Sequence, residues 1–242
     1  MLWEKGWLTR SSLWSRLIVH FWAAEIERAT TSGEEPTPIE YLQRAYEQTL
    51  EATTQPTEWQ GTTTATGAQL HYEKTETDGA ARPVLYVTNI GDSQVLILRP
   101  RNSKVIFKTA PQWHWFDCPR QLGTNSPDTP KGAAVVDKVV VEVGDVVLAV
   151  SDGVTDNLWE HEVVSCVVGG MREWEEGEKT SSDGKGRGVE KGEMQFVAEK
   201  LMNAARVIAQ DPFAESPFME HAIEEGLAME GGEFDSFLVQ EK

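Results

Sequence analysis

Cysteine is scarce in this chain of 242 residues: there are two, Cys118 and Cys166, far apart in sequence. Two such thiols make neither a zinc pattern nor a disulfide framework, so a reducing, intracellular setting is the default. Positive charge is also short. Lys and Arg number 22 against 39 Asp and Glu, which leaves a net charge of -17. That balance argues against nucleic acid and anionic membrane as general partners. No run is long and apolar enough to span a bilayer, and no internal repeat is visible. Met1 to Trp22, with Lys5, Arg10 and Arg16, could pass for a mitochondrial presequence. Glu4, and an apolar face that continues to Glu25, favour an ordinary folded helix. With 40% hydrophobic and 25% charged residues the chain can bury a sizeable core. Its length suits one large domain or two small ones.

The stretch that organises the rest is Val146 to Asn157. An apolar, β-branched run stops abruptly at Ser151-Asp152-Gly153, and a helix is predicted over Val154 to Val168. A buried strand that stops at an acid presents that acid at a sheet end. Asp152 with Asp156 four positions on suits a hard cation such as Mg²⁺ or Mn²⁺, which wants oxygen ligands. The competing reading is that Ser151 or Asp152 simply caps the following helix.

Around this stretch the pattern alternates between helix and strand. Leu13, Leu17, Phe21 and Ala24 recur at three and four, so Ser12 to Arg28 reads as an amphipathic helix. Thr37-Pro38 opens a second, with Ile39, Leu42, Tyr46 and Leu50 as its buried stripe. Strands follow at Gly61–Thr66, Ala68–Tyr72, Val84–Thr88, Val95–Leu98, Lys104–Lys108, Lys138–Val143 and Val146–Val150. Gln112 to Pro130 is irregular and aromatic. Gly169 to Gly192 is Gly-rich and charged and reads as a mobile surface loop. Met194, Val197, Leu201, Ala204 and Ile208 mark a helix. His221 to Glu230 is a short one, and Phe234 to Val239 a closing strand. The order gives an α+β class.

Three acidic turns stand out: Gly91-Asp92-Ser93, Ser151-Asp152-Gly153, and Gly231-Gly232-Glu233-Phe234-Asp235-Ser236. Alone, Asp92 is most often a turn former, Asp152 a cap and Asp235 a loop acid. Together, and in this order, they resemble the metal-dependent serine/threonine protein phosphatases of the PPM, or type 2C, family. Gly61-Thr62-Thr63-Thr64-Ala65 is similar to that family's Gly-Ser/Thr-Thr strand. Asn89-Ile90-Gly91-Asp92-Ser93 is similar to its Asn-x-Gly-Asp-Ser turn, and Ser151-Asp152-Gly153-Val154-Thr155-Asp156 to its Ser-Asp-Gly-x-x-Asp motif. Cys118 to Gly123, Asp211-Pro212-Phe213 and Ser216-Pro217-Phe218 resemble the short branch close to the bacterial sporulation phosphatases. The resemblance implies a four-layer αββα sandwich of two antiparallel sheets flanked by helix pairs. It implies Mg²⁺ or Mn²⁺ at two sites, with Asp152 and Asp235 as direct ligands. Asp92 and Asp156 would hold metal waters or a looser third cation, and Gly153 belongs to the same metal site. The implied reaction is two-metal hydrolysis of phosphoserine and phosphothreonine esters on a phosphorylated protein. The implied setting is mitochondrial or cytoplasmic, and the chain reads as a monomer.

The sequence also departs from that pattern. The family's Asp-Gly-x-Gly-Gly strand, whose Asp bridges both metals, is absent, and so is its upstream Arg. Ser236 stands in place of the second acid of the closing pair. The expectation is a single type 2C-like domain over residues 1–242, N-terminally incomplete and lacking the first strands. The runner-up function is a weak or inactive truncated relative that serves as a regulatory or binding domain. No catalytic role falls to His71, His161 or His221. His20 is expected to pack on the first helix. His114 and Cys118 are four apart in a loop and are expected to pack rather than bind metal. Arg120 could reach a phosphate or pair with nearby acids.

Overall fold

The computed structural model describes residues 4–31, 35–54, 59–74, 79–180 and 192–227, with the side chains of residues 4–12 and 178–180 left aside. The chain forms two compact units. The first is Met1–Val95 with Thr109–Val143; the second is Leu96–Lys108 with Gly144–Lys242. Helices and antiparallel strands are mixed throughout, which is the α+β class read from the sequence.

The first unit opens with α1 (Glu4–Thr30) and α2 (Pro38–Thr54). Pro38 begins α2 where a missing amide proton costs nothing, and the amides of Glu40 and Tyr41 close back on the Thr37 carbonyl. The buried stripe of α1 is Trp14, Ile18, Trp22 and Glu25, one position later than Leu13, Leu17 and Phe21, which are only half-buried. The large indoles win the inward face because they remove the most apolar area from water. His20, expected to pack, is exposed and makes an edge contact with the Phe21 ring at 5.2 Å. In α2 the stripe is Tyr41, Leu42, Ala45, Tyr46, Thr49 and Thr53; Ile39 and Leu50 sit at its margin. Thr49 and Thr53 are tolerated inside because each hydroxyl donates to the carbonyl four residues back, at 2.8 Å.

These helices cover a three-stranded antiparallel sheet of β2 (Ala65–Lys74), β3 (Ala81–Ile90) and β9 (Val135–Val140), in the order β2-β3-β9. β3 is buried on both faces from Val84 to Ile90, whereas β9 and most of β2 alternate. β9 starts three residues before the predicted strand. Val141, at the far end, still donates to the Pro83 carbonyl at 3.2 Å. β1 (Thr62–Thr63) pairs with β8 (Leu122–Gly123), and β6 (Trp113–Trp115) pairs with β7 (Cys118–Pro119). The Gln112–Pro130 region is thus tied by short ladders and by α3 (Pro130–Ala133), capped by Thr129. Trp14, Ile18, Trp22, Leu42, Tyr46, Ile90 and Leu122 share one core.

The second unit holds β4 (Gln94–Arg99), β5 (Lys104–Lys108) and β10 (Val146–Val150), in the order β10-β4-β5. A register shift between Ile97 and Leu98 bends the β4–β5 pair. Helices follow: α4 (Asp152–Thr155), α5 (Glu160–Thr180), α6 (Glu193–Ala209) and α7 (Pro217–Glu224). β10 is not buried throughout: its burial alternates, and Val147 on its outer face is exposed. The helix after Asp152 breaks in two, because Glu162 turns back to accept from the Trp159 amide at 2.9 Å and so starts α5 afresh. Gly169 to Thr180 is not loop but the second half of α5. Trp174 meets the Phe196 ring at 5.7 Å, and Gly170 lets α6 come close, since a Cβ there would lie 3.3 Å from Val197. Residues 181–191 lie outside the described residues. Leu96, Leu98, Val146, Leu158, Val163, Val167, Val197, Leu201 and Ala205 form this unit's core.

Candidate functional site

The acid at the end of β10 sits in a short, highly bonded turn. Ser151 occupies the cap position of α4, yet its hydroxyl makes no capping bond. Asp152, the first helical residue, instead accepts from the next amide: Gly153 N–H reaches Oδ1 at 2.8 Å. The Asp152 carbonyl accepts from the Asp156 amide at 2.7 Å. Gly153 is buried, and its carbonyl accepts from Asn157 Nδ2 at 3.0 Å. The turn is also pinned from outside, because Phe218 N–H at the start of α7 donates to the Asp156 carbonyl at 3.0 Å. Ser216 places that helix by accepting from Met219 N–H at 3.2 Å. Asp152 and Asp156, both half-buried, therefore stand on a backbone that several bonds hold in one shape.

Asp92 stands on a second such turn, between β3 and β4. Asn89 Nδ2 donates to the carbonyls of Gly91 and Ala110 at 3.2 and 3.3 Å. Gln112 closes the loop: its side-chain oxygen accepts from Gly91 N–H, and its own amide donates to the Gly91 carbonyl. Thr64 and Ser93 hydroxyls meet at 2.9 Å. Gly91 has φ +103°, and a Cβ there would lie 2.4 Å from Thr64 Cγ2 and 2.8 Å from the Arg120 carbonyl. The glycine is required twice, by backbone conformation and by space.

Asp152 and Asp156 belong to the second unit and Asp92 to the first. Asp235 lies outside the described residues. Oxygen-only donors such as Asp152 and Asp156 match Mg²⁺ or Mn²⁺ in kind. They fall short in number: among the described residues no group of three His, Cys, Asp or Glu side chains comes together.

Sequence reasoning missed Asp128. This buried carboxylate accepts from His114 Nε2 at 2.8 Å, Arg120 at 3.2 Å and the Gln121 amide at 3.1 Å. Burial pushes its carboxyl upward, but His114, the Gln121 amide and Arg120 outweigh that and hold it below the ordinary range. His114 and Arg120 thus find an acid rather than a metal or a phosphate. Nothing in the spacing of Asp128 announces it; the signal lay in a conspicuous His and Arg with no partner nearby in sequence.

No protein-family model matches the chain. Among curated proteins it is similar to "Probable protein phosphatase 2C 26" of Arabidopsis thaliana, 42% identical over 84 residues, 35% of this chain and 28% of that protein. It is similar to "Probable protein phosphatase 2C 62" of the same organism, 32% identical over 156 residues, 64% of this chain and 19% of that protein. It is similar also to a "Protein phosphatase PTC7 homolog" of Danio rerio, 28% identical over 163 residues, 64% of this chain and 48% of that protein. In each case the match takes in less than half of the relative. Among solved structures, the "X-ray structure of the photosystem II phosphatase PBCP" aligns with a TM-score of 0.62 at 25% identity, covering 88% of this chain and 68% of that one.

Proposed function

From the premise that the chain belongs to the protein phosphatase 2C (PPM) family, we propose that it removes phosphate from phosphoserine or phosphothreonine on protein substrates, with Mg²⁺ or Mn²⁺ as cofactor. The observation that carries the reading is the Ser151–Asn157 turn. It holds Asp152 at a strand end through its own Gly153 amide, an arrangement a simple helix cap does not need. In this reading Asp152 and Asp235 hold the cation directly, and Asp156, on the same turn as Asp152, reaches its waters. Such cations lower the pKa of bound water and neutralise charge on phosphoryl oxygens. The protein's own part is positional. Asn157 and Phe218 fix the backbone that carries the two carboxylates, so that little is left to reorganise when charge develops. The two free cysteines, Cys118 and Cys166, suit a reducing compartment.

The test pairs activity with a second readout. The chain is assayed on a phosphothreonine peptide with and without Mn²⁺, and its melting temperature is followed against Mn²⁺ concentration. Asp152→Asn should lose both the hydrolysis and the Mn²⁺-induced rise in melting temperature, while without metal it melts close to the parent. Equal Mn²⁺-dependent shifts in the two proteins would remove Asp152 from the site. Hydrolysis that persists undiminished in chelator would remove the metal.

A further inference from the structure

Among the described residues the three-stranded sheet of the first unit has two outer strands, β2 and β9, and they are guarded differently. β9 carries Asp137 and Lys138 at its middle. β2 carries no charge and no proline from Ala65 to Tyr72, and it follows β3 over ten successive pairs without a bulge. Charge, proline and bulges are the usual means by which an outer strand avoids further pairing. β2 instead presents Ala68, Leu70 and Tyr72 on one face, all exposed, Leu70 by 51% and Tyr72 by 60%. Val87 and Leu85, opposite Ala68 and Leu70 on β3, are buried. The apolar face of the sheet thus runs from a buried β3 to an exposed margin on β2.

We propose that β2 pairs antiparallel with β2 of a second copy of this chain, about a two-fold axis at Leu70, to give a dimer with one continuous sheet. Charge selects the second copy. The chain carries a net -17, so two copies repel wherever their acids meet, and an uncharged strand is where they can approach. The residue pattern is self-complementary. With Leu70 opposite its own copy, Ala68 faces Tyr72, a small side chain against a large one. On the other side of the sheet Gln69 faces His71. Glu73, already paired with Lys138 and Arg82, falls opposite Gly67, and Lys74 opposite Thr66, so no like charges oppose. A slip of one residue would set Leu70 against His71 and mix the faces. There is room for both copies. The α1 residues over β2, Trp22 among them, meet it at Thr66 to Gln69, all before Leu70. A two-fold axis at Leu70 therefore sends the two α1 helices over opposite halves of the paired strands. Pairing of β2 with β9 of the next copy would extend without closing, and it meets Asp137 and Lys138.

The experiment is sedimentation velocity of the whole chain from low to high micromolar concentration, joined to cysteine cross-linking. The parent should pass from monomer to dimer and no further. Leu70→Lys sets two like charges at the axis and should weaken dimerisation about ten-fold or more. Leu70 is half exposed, so the variant should keep the parent's circular dichroism. If it does not fold, Tyr72→Lys, two residues from the axis, takes its place. Directly opposed residues on antiparallel strands have Cα atoms about 4.5 or 5.5 Å apart, within the roughly 4.4–6.8 Å that a disulfide spans. Leu70→Cys should therefore form a disulfide-linked dimer in mild oxidant faster than Val143→Cys, whose side chain stands fully in solvent in the same unit. The parent, with Cys118 and Cys166, sets the background. A parent that stays monomeric throughout, a dimer that a folded lysine variant leaves intact, or Leu70→Cys cross-linking no faster than Val143→Cys overturns the proposal.

Discussion

The first unit buries rings, hydroxyls and two carboxylates, Glu25 and Asp128; the core of the second is built from leucine, valine and alanine. In the first, Trp14 stacks at a tilt on Tyr46 with centroids 6.3 Å apart and donates to Trp59, while Tyr46 reaches the Gly123 carbonyl. Glu25, 2% exposed, gathers Arg28, Arg44 and Gln48 around it. Bonds of this kind fix orientation as well as area. In the second unit volume and shape select the packing of the aliphatic cluster, and directional ties lie at its margin, where Arg99 grips Asp145 through two bonds of 2.8 and 2.7 Å and Asn157 holds the Gly153 carbonyl at 3.0 Å. The difference teaches that two cores of one chain need not tolerate the same changes. An aliphatic core accepts any side chain of the right size. An aromatic core with polar tips accepts few.

The contrast is sharpest at Trp14. Trp14→Ala should destabilise by about 3–5 kcal/mol in urea unfolding, and Trp14→Leu should recover little, because the Trp59 carbonyl then keeps only the longer bond from the Thr124 hydroxyl, at 3.4 Å. In the second unit Leu201→Ala should cost about 2–5 kcal/mol, yet Leu201→Met less than about 1.5. If Trp14→Leu proves as mild as Leu201→Met, orientation plays no part and the comparison collapses.

Asp145→Asn should come next. It removes the charge that faces the Arg99 guanidinium at 2.7 Å, in a pair whose side chains are 17% and 3% exposed. The expected loss is about 2–3 kcal/mol, reduced by added salt less than an exposed pair would be. Unfolding midpoints at low and high ionic strength measure it.

Glu25→Gln should have a smaller effect, about 1–2 kcal/mol at neutral pH, because Arg28 and Arg44 are largely solvated and are not stranded by the change. Its signature is in the pH dependence. Burial pushes the Glu25 carboxyl up, but hydrogen bonds from Arg44 and Gln48 and the charges of Arg28 and Arg44 pull it further down, for a net lowering. A lowered folded value means the stabilisation is complete above the ordinary carboxylate range, near pH 4.3. It is lost as pH falls through the lower, folded value. Glu25→Gln should flatten that acid limb. Asp128→Asn should flatten it independently, since Asp128 is lowered by different partners. A parent and Glu25→Gln pair that lose stability in parallel down to pH 3 would show that the carboxylate contributes nothing there.

Most of the elements were legible because apolar spacing reports them directly. Val84 to Thr88 and Met194 to Ile208 needed no context, and the Ser-Asp-Gly and Gly-Asp-Ser turns carried the family resemblance. What escaped depended on neighbours distant in sequence. Two stripes run side by side on α1, and only packing against Leu42 and Tyr46 chooses Trp14, Ile18 and Trp22 over Leu13, Leu17 and Phe21. Gly169 to Gly192 reads as a loop from its glycines and charges, yet α6 turns the lack of a side chain at Gly170 into close approach, and Met171 and Trp174 keep the helical spacing from Val167. Asp128 drew no notice in the sequence, because its partners His114 and Arg120 meet it only in the fold. Of the proposed site, Asp152, Asp156 and Asp92 were legible as acids on turns. The amide from Gly153 and the tie from Phe218 were not, because a backbone bond leaves no mark in residue type.

The crowding at Gly91 has a consequence that belongs to genetics. Gly144 shares the positive φ but faces open space, so an asparagine codon could replace its own and leave the protein usable. Gly91 has the same handedness but not the room, with Thr64 on one side and the Arg120 carbonyl on the other. In a library carrying every amino acid at every position, Gly91 should therefore be a column with one survivor, and Gly144 a column with several.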